Sequence, residues 1–317
     1  MKTLPIINIA PLYNVNDPEY SNVCRQIDEA CREWGFFYIS GYKENKLPEV
    51  HELAKKFFSL PLIEKLELDI QKNKNTHRGY GALGVEQLNP DLPEDFKEIF
   101  DMGVHLDYNH PDVINQEPLR GPNVYPAIDN WEKTMEGYFN EMLELAKVLL
   151  NAMSHAIGLP QNYFEHCLKD SLCFLRLIHY PPTLDNTDKA SFNAGTHTDY
   201  GCVTILAQDE IGGLQVQDVH GQWIDAPPIP DTYVINIGDM MARWSNDTYK
   251  STPHRVSSPK GKQRFSFPFF IQPSPHTVIQ CLPNCFSHSN PAKYSPITSM
   301  EYLQSRFSAT YKHRADV

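Results

Sequence analysis

What this chain lacks narrows it first. No stretch approaches the ~18 consecutive apolar residues of a membrane span, and the opening Met1-Lys2-Thr3-Leu4-Pro5 has no long apolar segment of the signal-peptide kind. Positive charge is scarce: 28 Lys and Arg face 39 Asp and Glu, a formal net charge of −11. No Lys/Arg-rich run is present, so the balance argues against a nucleic-acid partner and against a membrane surface. The expectation is a cytoplasmic protein, its acidic surface compatible with a monomer. The sequence contains no P-loop, no G-x-G-x-x-G, no G-x-S-x-G and no H-E-x-x-H. Seven cysteines, an odd number, are dispersed over 317 residues, which suggests neither a disulfide framework nor a zinc site.

What is present begins with 41 % apolar residues, enough for a large core. Apolar positions at helical spacing predict helices from about Glu19 to Glu33, Leu47 to Phe58 and Ile128 to Ile157. In the last, Trp131, Met135, Tyr138, Met142, Leu145, Leu149, Ala152 and Ala156 form one apolar face, expected to back a sheet. From residue 170 onward the pattern changes to short apolar strands between turns. These include Leu172–Tyr180, Cys202–Ala207, a hairpin of Leu214–Gln217 and Trp223–Ala226, Tyr233–Ile237 and Arg264–Phe270. A polar stretch, Thr183–Asn193, reads as an exposed loop. Arg78-Gly79-Tyr80-Gly81 also reads as a loop, and Arg243–Asn246 as a short connection. Thr298-x-x-Glu301 is a capping-box signature for a last helix ending near Tyr311.

The expected fold is mainly β with flanking helices, organised as one compact domain over 1–317. Its parts are an N-terminal helix and strand region (1–125), a long backing helix (126–160), an all-β core (170–290) and a C-terminal helix (298–312).

The chemistry concentrates in Gly195-Thr196-His197-Thr198-Asp199-Tyr200-Gly201. If the chain enters a strand here, residues i and i+2 aim at one spot. His254 can then complete a set of two histidines and one carboxylate, which suits Fe(II) and leaves positions open. Arg264 and Ser266 share a strand face, and a guanidinium beside a hydroxyl is a carboxylate receptor. On the strand before the motif, Arg176, Ile178 and Tyr180 share one face, opposite Leu175, Leu177 and His179. An arginine in so apolar a strand needs an acceptor partner, either a structural carboxylate or a ligand.

His197-x-Asp199, His254 and Arg264-x-Ser266, in this order and spacing, resemble the isopenicillin-N-synthase-like branch of the Fe(II)/2-oxoglutarate dioxygenases. Within it the run from Leu175 to Val256 is most similar to the thymine hydroxylase type and related bacterial oxygenases. The resemblance implies a double-stranded β-helix, or jelly roll, core. It implies Fe(II) on His197, Asp199 and His254, with 2-oxoglutarate and O2 at the remaining positions. The distal carboxylate of 2-oxoglutarate would meet Arg264, Ser266 and Tyr180. Arg176, Tyr200 and Phe270 match positions that, in these relatives, pair with the polar edge of a substrate ring and sandwich it. The partner is then a small molecule, a planar heterocycle or small acid. The same resemblance places an R-G-Y segment near the mouth of the active site. Two other readings stay open: a same-fold oxidase that does not use 2-oxoglutarate, and a non-catalytic metal-binding relative.

Overall fold

The computed structural model describes residues 3–43, 46–86, 95–182, 194–257 and 261–310. The loop expected at Thr183–Asn193 lies outside them. Twelve strands carry the architecture: β1 (Ile6–Asn8), β2 (Phe36–Ser40), β3 (Gly79–Gly81), β4 (Glu98–Gly103), β5 (Phe174–Tyr180), β6 (Ala194–His197), β7 (Val203–Gln208), β8 (Leu214–Gln217), β9 (Trp223–Asp225), β10 (Tyr233–Ile237), β11 (His254–Val256) and β12 (Arg264–Ile271). Eight of them form one sheet in the order β1-β2-β10-β7-β12-β5-β4-β3, and β6-β11-β8-β9 form a second. Only the β1–β2 pair among these is parallel.

The period-2 alternation of β12 explains how the layers assemble. Its odd-numbered residues Phe265, Phe267 and Phe269 join a core under the helices: His51, on helix Leu47–Phe58, packs edge-on against Phe265 and Phe267, and Phe139 against Phe269. Its even-numbered residues Arg264, Ser266, Pro268 and Phe270 face the space between the two sheets. Strand β5 does the same, with Leu175 and Leu177 in the helix-side core and Ile178 and Tyr180 in a second, smaller core between the sheets.

The long helix runs Trp131–Ala156 and backs the large sheet as its apolar stripe predicts. Trp131, Met135, Tyr138, Met142, Leu145, Leu149 and Ala152 are all buried. Each of the larger ones contributes roughly 1.5–3 kcal/mol, and truncating Phe139, which meets Phe269 of β12 edge-on, loosens helix from sheet. The final helix starts at Ser299, and its capping box closes in both directions: Thr298 N–H donates to the Glu301 carboxylate (2.9 Å), and Glu301 N–H to Thr298 Oγ1 (3.2 Å).

Two local expectations fail. Arg78–Gly81 is not a loop: Gly79–Gly81 is edge strand β3, paired with β4. Arg78 lies under Gly103 and donates to the carbonyls of Thr76 (2.8 Å) and Leu119 (3.2 Å), while Tyr80 donates to Glu98 (2.6 Å). Its glycines serve close backbone packing, for a Cβ on Gly79 would stand 2.2 Å from the Leu68 carbonyl oxygen. The expected Arg243–Asn246 connection begins inside a short helix, Asp239–Trp244, whose role emerges at the metal site.

Candidate active site

His197 is the last residue of β6, and His254, on β11, is its cross-strand partner in register. The two imidazole centroids are therefore only 4.3 Å apart. Asp199 is not on a strand, contrary to the expected i, i+2 arrangement; it sits on the turn between β6 and β7. That turn is clasped by the start of helix Asp239–Trp244. The N–H of Asp239 donates to the Asp199 carbonyl (2.8 Å) and that of Met240 to the Gly201 carbonyl (3.0 Å). The close approach requires Gly238, where a Cβ would stand 2.3 Å from the Gly201 oxygen. A fixed turn thus does what strand alternation was expected to do.

Ligand atoms of His197, Asp199 and His254 all lie within 4.8 Å of one another, the one such His/Cys/Asp/Glu cluster among the described residues. Asp199 Oδ1 is 3.9 Å from His197 Nε2 and 3.7 Å from His254 Nε2. Each ring is oriented by its other nitrogen: Nδ1 of His197 contacts the Gly195 carbonyl (2.7 Å), and Nδ1 of His254 the Thr252 carbonyl (3.2 Å). A carbonyl only accepts, which puts the proton on Nδ1 and leaves the Nε2 lone pairs for a metal. Thr204 (2.5 Å) and Asn236 (2.8 Å) both donate to Asp199 Oδ2, leaving Oδ1 to face the histidines.

Electrostatics agree with that assignment. Burial, and secondarily the adjacent imidazole of His254, push His197 down to about 4. Burial alone would raise Asp199, but the two histidines and the Thr204 and Asn236 donors outweigh it and hold the carboxyl below its usual value. A neutral imidazole and an ionised carboxylate are the forms a metal needs. The donor set and its orientation fit Fe(II).

The triad opens onto a cleft between the sheets enclosing about 940 Å³ of empty space, its mouth included. One wall is built by the paired strands β5 and β12, with Arg264 opposite Tyr180, Ser266 opposite Ile178 and Phe270 opposite Phe174. At one end Arg264 is 1 % exposed. Its guanidinium lies over the Tyr180 ring (4.8 Å) and donates to Ser266 Oγ (3.2 Å) and Gln208 Oε1 (3.4 Å). Its Nε has no hydrogen-bond partner, and among the described residues no carboxylate pairs with it. A buried cation without a counter-ion is costly, so this end is fitted to receive an anion.

At the other end the stacked Phe174 and Phe270 rings (centroids 4.5 Å, 21° apart) form a flat wall, with Tyr200 also lining the cleft and the Arg306 guanidinium 4.8 Å over the Tyr200 ring. Arg176 lines the cleft but is held by protein carboxylates. It meets Asp101 in a bidentate pair (Nε–Oδ1 and Nη2–Oδ2, both 2.7 Å) and Glu86 through Nη1 (2.7 Å). Beside it Lys97 pairs with Glu86 (3.0 Å) and Asp95 (3.1 Å). Burial opposes the Lys97 charge, yet Glu86 and Asp95 outweigh it and raise its pKa. His179 points away from the cleft, as its strand position predicts, and pairs with Glu98 (2.7 Å).

Sequence reasoning missed Thr204, Asn236, Gln208 and Lys97. Thr204 and Asn236 sit on β7 and β10, where alternation alone marks their face; no motif singles them out.

Comparison with known proteins points the same way. The 2OG-Fe(II) oxygenase superfamily profile matches residues 171–273, and the profile described as non-haem dioxygenase in morphine synthesis N-terminal matches residues 4–128. The chain is 35 % identical to the 2-oxoglutarate-Fe(II) type oxidoreductase hxnY of Emericella nidulans, over 97 % of this chain and 90 % of the relative. It is 32 % identical to homoarginine-6-hydroxylase 2-ODD-233 of Oryza sativa, over 95 % of each. A full-length thymine 7-hydroxylase-like protein of Neurospora crassa, in its crystal structure with α-KG and thymine, superposes with a TM-score of 0.85, at 31 % identity and 96 % coverage of both chains. The two-sheet core is accordingly the double-stranded β-helix of these oxygenases, without a closed barrel. The chain belongs to the 2OG-Fe(II) oxygenase superfamily and is an oxidoreductase of that class.

Proposed function

We propose that this enzyme couples conversion of 2-oxoglutarate and O2 into succinate and CO2 to hydroxylation of a small, flat molecule. One oxygen atom enters succinate and the other the substrate C–H bond. Fe(II), held by His197, Asp199 and His254, supplies the redox chemistry by which O2 reacts with the keto acid.

The chain's own groups bind, orient and exclude water. Arg264, with Ser266 and Tyr180 beside it, holds the distal carboxylate through charge-assisted hydrogen bonds, each worth roughly 1.5–3 kcal/mol. Thr204 and Asn236 fix Asp199 so that one oxygen stays available. Leu206, Leu214, Ile178 and Val256 line the cleft and keep water from the reacting C–H bond. Tyr200 and Phe270 flank the substrate ring, and Arg176, steadied by Asp101 and Glu86, presents a polar edge to it.

The observation that carries this reading is the buried Arg264, unpaired with any described carboxylate, in the same cleft as the histidine–aspartate triad. Purified protein given Fe(II), 2-oxoglutarate and air should release succinate slowly, and faster when a substrate from a panel of pyrimidines, amino acids and aromatic acids is added. His197→Ala should abolish release. An oxidase that does not use 2-oxoglutarate could keep Arg264 and Ser266, so absence of succinate with iron bound would move the assignment there.

A further inference from the structure

One side chain at the flat end of the cleft is left unsatisfied by its own wall. Gln272 follows β12 and continues the even-numbered face of Arg264, Ser266, Pro268 and Phe270 into the cleft. It is 2 % exposed and its Oε1 has no hydrogen-bond partner. No hydrogen bond to either end of its amide is made among the described residues. A buried carboxamide is ordinarily paired, and an exception points to a missing partner.

The position is built. The Gln272 backbone is tied in both directions to Cys173 Sγ (N–H to sulfur and S–H to carbonyl, both 3.4 Å). The amide packs over Gly201, where a Cβ would stand 2.8 Å from both Gln272 Nε2 and the Ile271 carbonyl oxygen. A bare glycine two residues from Asp199 thus makes room for this amide between the metal turn and the strand end. Phe270, on the same face, stacks on Phe174 beside it. The charged groups in this wall, Arg176 and Lys97, already have carboxylate partners, whereas Gln272 does not.

We propose that Gln272 selects the substrate by an amide-like edge, that is, a flat ring carrying adjacent N–H and C=O groups, of the lactam or imide class. Such an edge donates to the Gln272 oxygen and accepts from its N–H₂ at once, and a flip of the amide is matched by a flip of the ring. A free carboxylate offers acceptors only and leaves the amide oxygen unpaired. This inference rests on the reading of the cleft as an oxygenase substrate site.

The test is anaerobic calorimetric titration of the enzyme loaded with Fe(II) and 2-oxoglutarate, using 5-methyl-2-pyridone and its acid counterpart 4-methylbenzoate. Wild type should bind the pyridone at least tenfold more tightly than the benzoate. Gln272→Met, close in length and lacking the amide, should bind the pyridone about 10- to 100-fold more weakly and lose the preference. Gln272→Asn, which withdraws the amide by one methylene, should also weaken it and replaces the methionine variant if that one melts early. Unchanged pyridone affinity in the variants overturns the inference, as does a wild type that binds neither probe or favours the benzoate. Succinate release from 2-oxoglutarate without probe is measured on the same wild-type preparation. If it is present while the pyridone result fails, only the substrate class falls; if it is absent, the oxygenase reading falls too.

Discussion

Two arginines face the same cleft from the same pair of strands, yet they are built oppositely. Arg176 is met by Asp101 and Glu86 at 2.7 Å, and those carboxylates in turn share the neighbourhood with Lys97 and Asp95. Arg264 has a hydroxyl, an amide oxygen and an aromatic face, but no described carboxylate. Burial is alike, so counter-ions make the difference. A buried cation whose charge the protein neutralises is part of the wall. One left without an anion is a receptor, and the cost of burying it is recovered when a ligand arrives.

The comparison breaks most visibly at the metal turn. His197→Ala or Asp199→Ala should eliminate stoichiometric Fe(II) binding, and with it succinate release, to below detection; metal analysis after gel filtration checks this. Gly238→Ala should act the same way at a distance, because its methyl group collides with the Gly201 carbonyl that positions Asp199. A Gly238→Ala protein with full iron content would refute that account of the turn.

Next in size is the contrast between the arginines. Arg176→Met strands Asp101 and Glu86, and breaking such a buried pair costs roughly 3–5 kcal/mol, read as a lower midpoint in urea unfolding. Burial already raises the Asp101 pKa despite Arg176, so loss of the cation should raise it further. Arg264→Met should leave the stability of the ligand-free protein unchanged or higher, since it deletes an unpaired buried charge. Its effect should fall on 2-oxoglutarate, with KM raised about 10- to 100-fold from the loss of charge-assisted hydrogen bonds.

Smaller still, Thr204→Val and Asn236→Leu should each lower iron affinity about 10- to 100-fold by freeing Asp199, while leaving 2-oxoglutarate KM in metal-saturated enzyme near the wild-type value. A KM effect as large as that of Arg264→Met would merge the two groups that the structure keeps separate.

The same contrast explains what the sequence disclosed. The metal end was legible because its chemistry is packed into short motifs whose residues have few other uses. His197-x-Asp199, His254 and Arg264-x-Ser266 all converge, and strand alternation correctly put Arg176, Ile178 and Tyr180 on one face and His179 on the other. The mechanism of convergence was not legible, for Asp199 is delivered by a turn that a helix forty residues later clamps. Nor was the other end. The partners of Arg176 are 75 and 90 residues upstream, in a region whose local pattern spoke only of packing. Pairing at that separation is a property of the assembled sheet: β4 must lie beside β5 before Asp101 can stand opposite Arg176. Gln272 was invisible for a different reason, since a glutamine after a strand acquires meaning only when its burial and missing partner are seen.

The most direct measurement is calorimetric titration of 2-oxoglutarate into anaerobic Fe(II)-loaded wild type, Arg264→Met and Arg176→Met. The account predicts saturable one-to-one binding to wild type, about 10- to 100-fold weaker binding to Arg264→Met, and near wild-type affinity in the folded fraction of Arg176→Met. Equal affinity in wild type and Arg264→Met would contradict it, as would a loss confined to Arg176→Met.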